Sequence, residues 1–266
     1  MIPKVIHYCW FGGNPLPKLA RDCIESWKKY CPGYEIREWN ESNFDLECCQ
    51  YVKEAASVGK WAFVSDYARF KILYVHGGVY FDTDVELIKT IDDILAKGAF
   101  MGIEKPFNIS CHQKYLVASG LGFATEKSMP VIGEILKLYE SEKYLLKDGN
   151  VNKKTVLNYV TEILYRHGYN GKNCISVVGG ITIYPDDYFC PMNYSTGLLT
   201  ITENTRSIHH YEMSWKSDYE KRKKEIERKY RSKFGDQMGF KLYQVVVLPI
   251  KVKHKIKQIL EAKDIL

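Results

Sequence analysis

The sequence lacks the markers of several common protein classes. Its eight cysteines include no C-x-x-C pair and no even spacing. Disulfide frameworks belong to short secreted chains, so we expect reduced thiols and a cytosolic protein. The first residues run straight into an apolar stretch, without the basic segment and apolar core of a signal peptide, which predicts no secretory leader. Internal repeats and low-complexity segments are also absent from the sequence.

Two further absences concern membranes and nucleotides. A helix that crosses a bilayer needs about 20 apolar residues, whereas the apolar run near the C-terminus covers only residues 245–250. Gly12 and Gly13 follow the first apolar stretch, and a strand–glycine turn–helix can receive a phosphate. The pair matches neither G-x-G-x-x-G nor G-x-x-x-x-G-K-[ST], so neither a dinucleotide-binding fold nor a P-loop is supported.

The chain does contain enough apolar material for a core. Hydrophobic residues make up 45% of its 266 residues, which is sufficient for one large core or two small ones. The 20 Tyr, 11 Phe and 5 Trp fit stacking on sugar rings or bases as well as they fit ordinary core packing. Composition therefore indicates a globular protein without choosing its ligand.

Residues 60–87 are the stretch around which the chain is organised. Residues 61–75 are apolar almost all round, which predicts a helix inside the domain rather than on its surface. Asp66 and Arg69 interrupt this pattern, and their spacing places them on the same side of the helix. His76 and two glycines follow, and glycine is the usual residue just past a helix end.

A short apolar run at residues 79–81 leads directly into Asp82-Thr83-Asp84. If the extended run continues, the two carboxylates point to one side and Thr83 to the other. Paired carboxylate oxygens suit Mg²⁺ or Mn²⁺, which keep open positions for substrate phosphates. A solvated acidic loop is the alternative interpretation.

The remaining pattern predicts an open α/β sheet with parallel strand pairs, because strands and helices alternate from the start. We predict strands at residues 5–11, 34–39, 99–104, 181–184 and 206–211, and an irregular strand or loop at 116–124. Predicted helices cover residues 15–30, 46–57, 91–97, 129–144, 152–167 and 217–234.

Other charged and aromatic residues have two interpretations each. Asp66 and Arg69 either pair with each other inside the core or reach a donor pocket behind the acidic pair. His209 and His210 are either structural or supply an imidazole to a metal shell begun by two carboxylates. Trp215 is suited to stacking on a base or a sugar.

Two segments resemble the DXD-containing sugar transferases of glycosyltransferase family 32. Residues 2–13 read IPKVIHYCWFGG, and residues 62–86 contain SDYARF, LY, GG and VYFDTDVE. The resemblance covers about residues 1–125 and resumes at residues 208–215. The family includes bacterial capsule and lipopolysaccharide transferases and Golgi mannosyltransferases, and it is similar to the catalytic domain of large glucosylating toxins.

The resemblance implies a GT-A-type fold, a single open mixed sheet flanked by helices, and a site at the C-terminal edges of its strands. By the family pattern, Asp82 and Asp84 hold the metal and the diphosphate, and Asp66 and Arg69 contact sugar hydroxyls. The other implied contacts are a nucleobase site at Tyr8 to Trp10, Thr83 within the motif, and His210 with Ser214 and Trp215 closing over the diphosphate. His210 is thereby the expected third metal ligand, although the residues alone leave the choice between His209 and His210 open.

The same resemblance implies a retaining hexosyltransferase that uses Mn²⁺ or Mg²⁺, with a UDP-sugar favoured over a GDP-sugar as donor. The acceptor would be a glycan or a lipid-linked oligosaccharide of a capsule or lipopolysaccharide. One departure concerns Ser119-Gly120, where many relatives carry an asparagine. No dedicated base is evident, so front-face attack and a covalent intermediate both remain open.

The C-terminal part carries the positive charge of the chain. Residues 216–266 have 15 Lys and Arg against 7 Asp and Glu, whereas the remainder has 23 against 25. We predict a catalytic domain at residues 1–234 and a basic helical appendage at 235–266. The appendage is expected to contact the anionic inner face of the cell membrane; a solvated basic face is the alternative, and no nucleic-acid-binding module accompanies the charge.

Two other functions are compatible with parts of the sequence. A phosphatase of the haloacid-dehalogenase type also uses a D-x-D motif, and Asp186-Asp187 resemble its late acidic pair. In that fold, however, the motif follows a long strand near the N-terminus. A catalytically inactive sugar-nucleotide-binding protein would keep the fold without turnover, but the intact Asp66, Arg69, Asp82 and Asp84 argue against it.

Overall fold

The computed structural model describes residues 1–104, 114–213 and 216–263, with side chains described as far as residue 256. The chain divides into two compact units. The first comprises residues 1–192 and 200–215, and the second comprises residues 193–199 and 216–266.

The first unit is built on a seven-stranded sheet with the order β2-β1-β3-β6-β5-β8-β7. A separate two-stranded ribbon pairs β4 with β9. The strands are β1 Val5–Cys9, β2 Glu35–Trp39, β3 Gly78–Tyr80, β4 Val85–Leu87, β5 Phe100–Glu104, β6 Leu116–Thr125, β7 Ser176–Val178, β8 Ile181–Tyr184 and β9 Ser207–His209. The helices are α1 Lys18–Tyr30, α2 Gln50–Ser57, α3 Trp61–His76, α4 Asp92–Leu95, α5 Pro130–Glu140, α6 Val156–Arg166 and α7 Asp186–Phe189.

The sheet is mixed. β1 lies parallel to both β2 and β3, and β5 lies parallel to β8. β6 is antiparallel to both of its neighbours, β3 and β5, and β7 is antiparallel to β8. The predicted fold class, one open mixed α/β sheet with flanking helices, is confirmed.

Helix α3 is buried as predicted. Seven of its residues have little or no contact with solvent, including the charged Arg69. The helix ends at Gly77, whose φ of +65° and whose neighbour's φ of +109° lie in the left-handed region that favours glycine. A Cβ on Gly78 would lie 2.8 Å from the carbonyl oxygen of Val5. The two glycines therefore let the chain turn from the helix into β3 directly against β1.

His7 on β1 holds this turn in place and must be neutral to do so. The indole Nε1 of Trp39 donates to His7 Nδ1 over 3.0 Å, which leaves His7 Nε2 to donate to the carbonyl oxygen of Gly77, also over 3.0 Å. Burial lowers the pKa of His7 from 6.5 to about 4, against the opposing effect of the bond to Gly77. A charged His7 would lose its acceptor at Nδ1 and leave the indole without a partner.

We expect the fold to lose stability as the pH falls from 6.5 to about 4. Between pH 6.5 and about 4 the unfolded chain binds a proton at His7 that the folded chain does not, so the free energy of unfolding rises with pH. The full loss on acidification is about 3 kcal/mol, measurable by denaturant unfolding at several pH values. Comparison with His7→Gln, which keeps a donor toward Gly77 but does not titrate, isolates the effect. Identical pH profiles for the two proteins would contradict it.

The acidic motif lies in a turn, which corrects the expectation of a continuing strand. β3 ends at Tyr80, and the N–H of Val85 donates to the carbonyl oxygen of Asp82 over 3.0 Å. β4 then begins at Val85 and pairs antiparallel with β9. The two carboxylates are therefore separated by a tight turn, and strand alternation does not apply to them.

Short elements account for most other differences. The sequence patterns did not predict β4, β7 or α7, each of three or four residues. The irregular segment at 116–124 is a ten-residue strand, β6, in which a register shift on the partner strand falls between Met101 and Gly102. The longer predicted helices are present, mostly beginning a few residues later than expected.

The second unit contains two helices, α8 Asp218–Phe234 and α9 Asp236–Lys263. Ser217 caps α8 by accepting from the N–H of Glu220, whose carboxylate in turn accepts from the N–H of Ser217. The division into units falls near residue 216 and places α8 with α9, on which it packs, in the second unit, whereas the predicted boundary was at Gly235. Among the described residues, no helix combines the length and apolarity that a bilayer crossing demands.

Candidate functional site

Arg69 of α3 lies beneath the acidic motif and links two carboxylates. Its Nη2 lies 2.8 Å from Asp66 Oδ1 and 3.2 Å from Asp82 Oδ1. The Arg69 side chain is only 5% exposed, whereas that of Asp82 is 28% exposed. The guanidinium also lies over the ring of Tyr80, 4.9 Å from its centre. Arg69 thus pairs with Asp66 inside the core, as one interpretation of the sequence expected, and it also pairs with Asp82 of the motif.

The pKa values of Asp66 and Arg69 are both raised, for different reasons. Burial raises the pKa of Asp66 to about 6, although Arg69 opposes the shift. Burial alone would lower the pKa of Arg69, but Asp82, Tyr80 and Asp66 outweigh it and raise the pKa, so the guanidinium remains charged. A fixed positive charge therefore lies directly behind the motif.

Asp82 is held from three sides. The Tyr80 hydroxyl donates to Asp82 Oδ1 over 3.1 Å, and the backbone N–H of Asp82 donates to the carbonyl oxygen of Gly120 over 3.1 Å. A Cβ on Gly120 would lie 2.0 Å from Asp82 Oδ2 and 3.1 Å from Arg69 Nη1. Glycine is therefore required at residue 120 because no side chain fits there. Its backbone conformation is not the reason, because its φ lies outside the left-handed region. The room that the Asp82 carboxylate needs therefore explains the glycine of the Ser119-Gly120 segment noted in the sequence.

Asp84 is paired with His209. His209 Nε2 lies 3.1 Å from Asp84 Oδ1, and the N–H of Glu212 donates to Asp84 Oδ2 over 2.8 Å. Burial alone would raise the pKa of Asp84, but the charge of His209 and these hydrogen bonds outweigh it and lower the pKa to about 2. Burial alone would lower the pKa of His209, but Asp84 outweighs it and raises the pKa to about 9.

The ribbon of β4 and β9 decides which histidine reaches the motif. Val85 lies opposite His209, so His209 projects beside the end of the Asp82–Asp84 turn. Successive side chains of a strand point to opposite faces. His210 therefore projects away, and its Nε2 lies 2.9 Å from Glu86 Oε2. The structure brings His209 to the acidic pair, where the family pattern had been matched to His210.

Glu104 at the end of β5 is a residue that the sequence patterns did not single out. Its carboxyl is buried, and its one hydrogen bond among the described residues comes from the Tyr211 hydroxyl at 3.4 Å. Burial raises the pKa of Glu104 to about 7, with His209 opposing the shift. Tyr211 adopts a φ of +56°, which is unusual for a bulky residue and is a form of strain that clusters at functional sites. Nothing in the sequence marked Glu104 except its place at a predicted strand end.

Three of these side chains fit a divalent cation. One ligand atom each from Asp82, Asp84 and His209 lies within 4.8 Å of the others. Two carboxylates and one imidazole are a donor set that suits Mn²⁺ and is acceptable to Mg²⁺. His209 Nδ1 is buried and has no hydrogen-bond partner among the described residues, which is consistent with a site whose polar groups are completed by a ligand.

Tyr8 and Trp10 make contacts with residues outside this cluster. Tyr8 packs against Trp27 at 5.7 Å between ring centres, and its hydroxyl donates to Glu38. Trp10 lies just beyond β1, where its Nε1 donates to the carbonyl oxygen of Asn14. Thr83 is half-buried in the turn. Ser214 and Trp215, predicted to close over a diphosphate, lie outside the described residues.

The late acidic pair is structural in this fold. Asn173 Nδ2 donates to Asp186 over 2.9 Å, and Asn204 Nδ2 donates to Asp187 over 2.9 Å. The Thr202 hydroxyl also donates to Asp187. Both carboxylates therefore organise loops around α7, and neither joins the cluster at Asp82.

Sequence comparisons identify the region that carries the site. Residues 17–101 match the family model described as a glycosyltransferase sugar-binding region containing a DXD motif. An uncharacterised glycosyltransferase of Acanthamoeba polyphaga mimivirus is 31% identical over 118 residues, which are 41% of this chain and 46% of that protein. Inositol phosphoceramide mannosyltransferase 3 of Schizosaccharomyces pombe is 29% identical over 117 residues, 41% of this chain and 32% of that protein. The chain spans less than half the length of these curated relatives.

Solved structures with related shapes are also glycosyltransferases. PaToxG glycosyltransferase has a TM-score of 0.46 and 20% identity, covering 62% of this chain and 69% of that chain. The galactosyltransferase LgtC has a TM-score of 0.41 and 14% identity, covering 80% and 90% of the two chains. These scores are low, so the assignment depends on the sequence matches. Those matches show that residues 17–101, which contain the motif at Asp82 and Asp84, are similar to the sugar-binding region of DXD-containing glycosyltransferases.

Proposed function

We propose that this protein is a metal-dependent glycosyltransferase that moves a sugar from a nucleotide-sugar donor to a glycan or lipid-linked acceptor. The observation that carries the proposal is the convergence of Asp82, Asp84 and His209 within 4.8 Å, in and beside a matched sugar-binding region. Arg69 behind them supplies a fixed positive charge. This set fits a reaction whose leaving group is a diphosphate.

The chain's own residues have separate parts in this reaction. Transfer breaks the bond between the anomeric carbon and the diphosphate oxygen and forms one between that carbon and an acceptor hydroxyl oxygen. The hydroxyl proton passes to the departing nucleoside diphosphate or to water, and the diphosphate gains negative charge as it leaves. Mn²⁺ or Mg²⁺, held by Asp82, Asp84 and His209, would neutralise charge on the diphosphate. Arg69 and Tyr80 orient Asp82, and the Glu212 N–H orients Asp84, so both carboxylates are in position before the donor binds. Asp66 is the member of the Arg69 group that we propose to contact donor hydroxyls.

Finer features of the proposal follow the family pattern. We propose a retaining reaction with a UDP-sugar favoured over a GDP-sugar, in the synthesis of a cell-surface polysaccharide. Tyr8, Trp10, Thr83, Ser214 and Trp215 remain proposed donor contacts. The proposed place of action is the cytoplasmic face of the cell membrane, which the net charge of residues 216–266 supports.

A thermal-shift panel with UDP- and GDP-sugars, each with and without Mn²⁺, tests the proposal. We expect a rise in melting temperature that needs both the cation and one nucleotide, because a ligand that binds only the folded state stabilises it. The nucleotide that gives the shift, UDP or GDP, is the nucleotide of the donor. A melting temperature that no pair changes would contradict donor binding. Hydrolysis of the donor in the presence of the cation then separates an active enzyme from an inactive sugar-nucleotide-binding protein.

A further inference from the structure

Helix α9 has two apolar faces, and among the residues that the structure describes only one of these faces packs on a neighbour. Tyr243 and Val247 are buried, and the ring of His254 stacks on Tyr219 of α8 at 3.7 Å. A Cβ on Gly239 would lie 2.3 Å from the carbonyl oxygen of Tyr230, so the two helices cross closely there. Residues 239, 243, 247 and 254 recur at helical spacing and define the face toward α8.

The opposite face carries a second apolar stripe. Its members are each more than half exposed, at 58%, 71%, 59%, 51% and 52%: Met238, Val245, Leu248, Val252 and Ile256. The last four are spaced by three, four and four residues, so they line one side of the helix. Because successive residues are rotated by about 100°, Val245, Val252 and Ile256 lie roughly opposite Val247. Part of the stripe borders a depression of about 440 Å³.

Exposed lysines border this stripe. Lys251 and Lys255 lie along one edge of it and Lys253 along the other, and all three are exposed. Lys241 lies within it, where a long aliphatic stem can cover apolar surface while its ammonium reaches water. An apolar stripe on a long helix with lysines along its borders is the pattern of a helix that lies in the plane of a membrane surface.

We infer that α9 docks on an anionic lipid surface by inserting the stripe of Met238, Val245, Leu248, Val252 and Ile256 among the headgroups, with Lys251, Lys253 and Lys255 against lipid phosphates. The inference deepens the proposed membrane contact and rests on it. The inferred mode of binding differs from attraction by charge alone. Binding by charge alone would be abolished by salt, whereas binding through an inserted apolar face would persist in part at high salt. We assign the surface to anionic lipid because the charged residues that border the stripe, Lys251, Lys253 and Lys255, are all positive.

Vesicle flotation with the full chain tests the inference. The vesicles are phosphatidylcholine alone, or phosphatidylcholine with phosphatidylglycerol, at low and high salt. We expect the triple variant Val245→Gln, Val252→Gln, Ile256→Gln to bind anionic vesicles at least about tenfold more weakly at both salt concentrations. The triple variant Lys251→Gln, Lys253→Gln, Lys255→Gln should lose the preference for anionic lipid and the salt-sensitive part of binding.

Val177→Gln on β7 is the matched control, because Val177 is 74% exposed and lies in the first unit. It should bind vesicles like the wild type. Wild-type binding by the stripe variant, or no vesicle binding by the wild type, would overturn the inference. Light scattering is measured in parallel: dimers that the stripe substitutions dissociate would assign this face to a second copy of the chain and overturn it too. The donor-dependent thermal shift should survive in the stripe variant, so failure here leaves the proposed reaction untouched.

Discussion

Replacing Asp84 by asparagine is expected to abolish sugar transfer while leaving the fold intact. Asparagine keeps the shape of the side chain and an oxygen that accepts from the Glu212 N–H, so the turn and the β4–β9 ribbon should persist. It removes the negative charge, and a neutral amide is a poor ligand for a divalent cation beside a diphosphate. We expect a fall in the turnover rate of at least about 10²-fold.

The measurement combines turnover with the thermal shift. Asp84→Asn should unfold within a few degrees of the wild type and should lose the stabilisation that needs both Mn²⁺ and donor. Asp22→Asn is the matched control, because Asp22 pairs with Lys18 on the surface of α1, and exposed pairs contribute little. A variant of Asp84 with normal turnover would rule out the assignment of a metal to this cluster.

Most of the fold could be predicted from sequence patterns that extend over a whole helix or over several successive elements. Helix α3 was predictable because nearly every position is apolar and two glycines follow it. The parallel pairing of β1 with β2 and β3 was predictable from the alternation of strands and helices. Three of the shortest elements were not predictable, since β4, β7 and α7 have only three or four residues each and show no periodic pattern.

The candidate site was predictable as a set of residues but not as a geometry. Asp66, Arg69, Asp82 and Asp84 are brought together as the motifs indicated, with Arg69 as the common partner of Asp66 and Asp82. The choice between His209 and His210 depends on the register of β9 against β4, which is a contact between segments more than 120 residues apart, as the bond from Glu212 to Asp84 shows. Glu104 entered the site for the same reason, through Tyr211.

Gly120→Ala is expected to abolish sugar transfer, although Gly120 has no side chain of its own to take part in the chemistry. The new Cβ would lie 2.0 Å from Asp82 Oδ2, a distance that neither atom can tolerate. Since the backbone bond from Asp82 to the Gly120 carbonyl oxygen fixes the two segments together, the Asp82 carboxylate must rotate away from β6. That rotation breaks its pairing with Arg69 and moves one proposed metal ligand by an ångström or more.

Turnover should therefore fall about 10²-fold, which is the cost of a misplacement of that size. The free energy of unfolding should fall by about 1–3 kcal/mol, which is the usual cost of overpacking a buried site. Gly33→Ala is the matched control, because its added Cβ meets nothing within 4 Å and its φ is ordinary, so activity and stability should both be retained. Full activity in Gly120→Ala would mean that the position of Asp82 under β6 has no part in catalysis. A loss of activity that Mn²⁺ at high concentration restores would instead locate the defect in cation affinity, as the displaced carboxylate predicts.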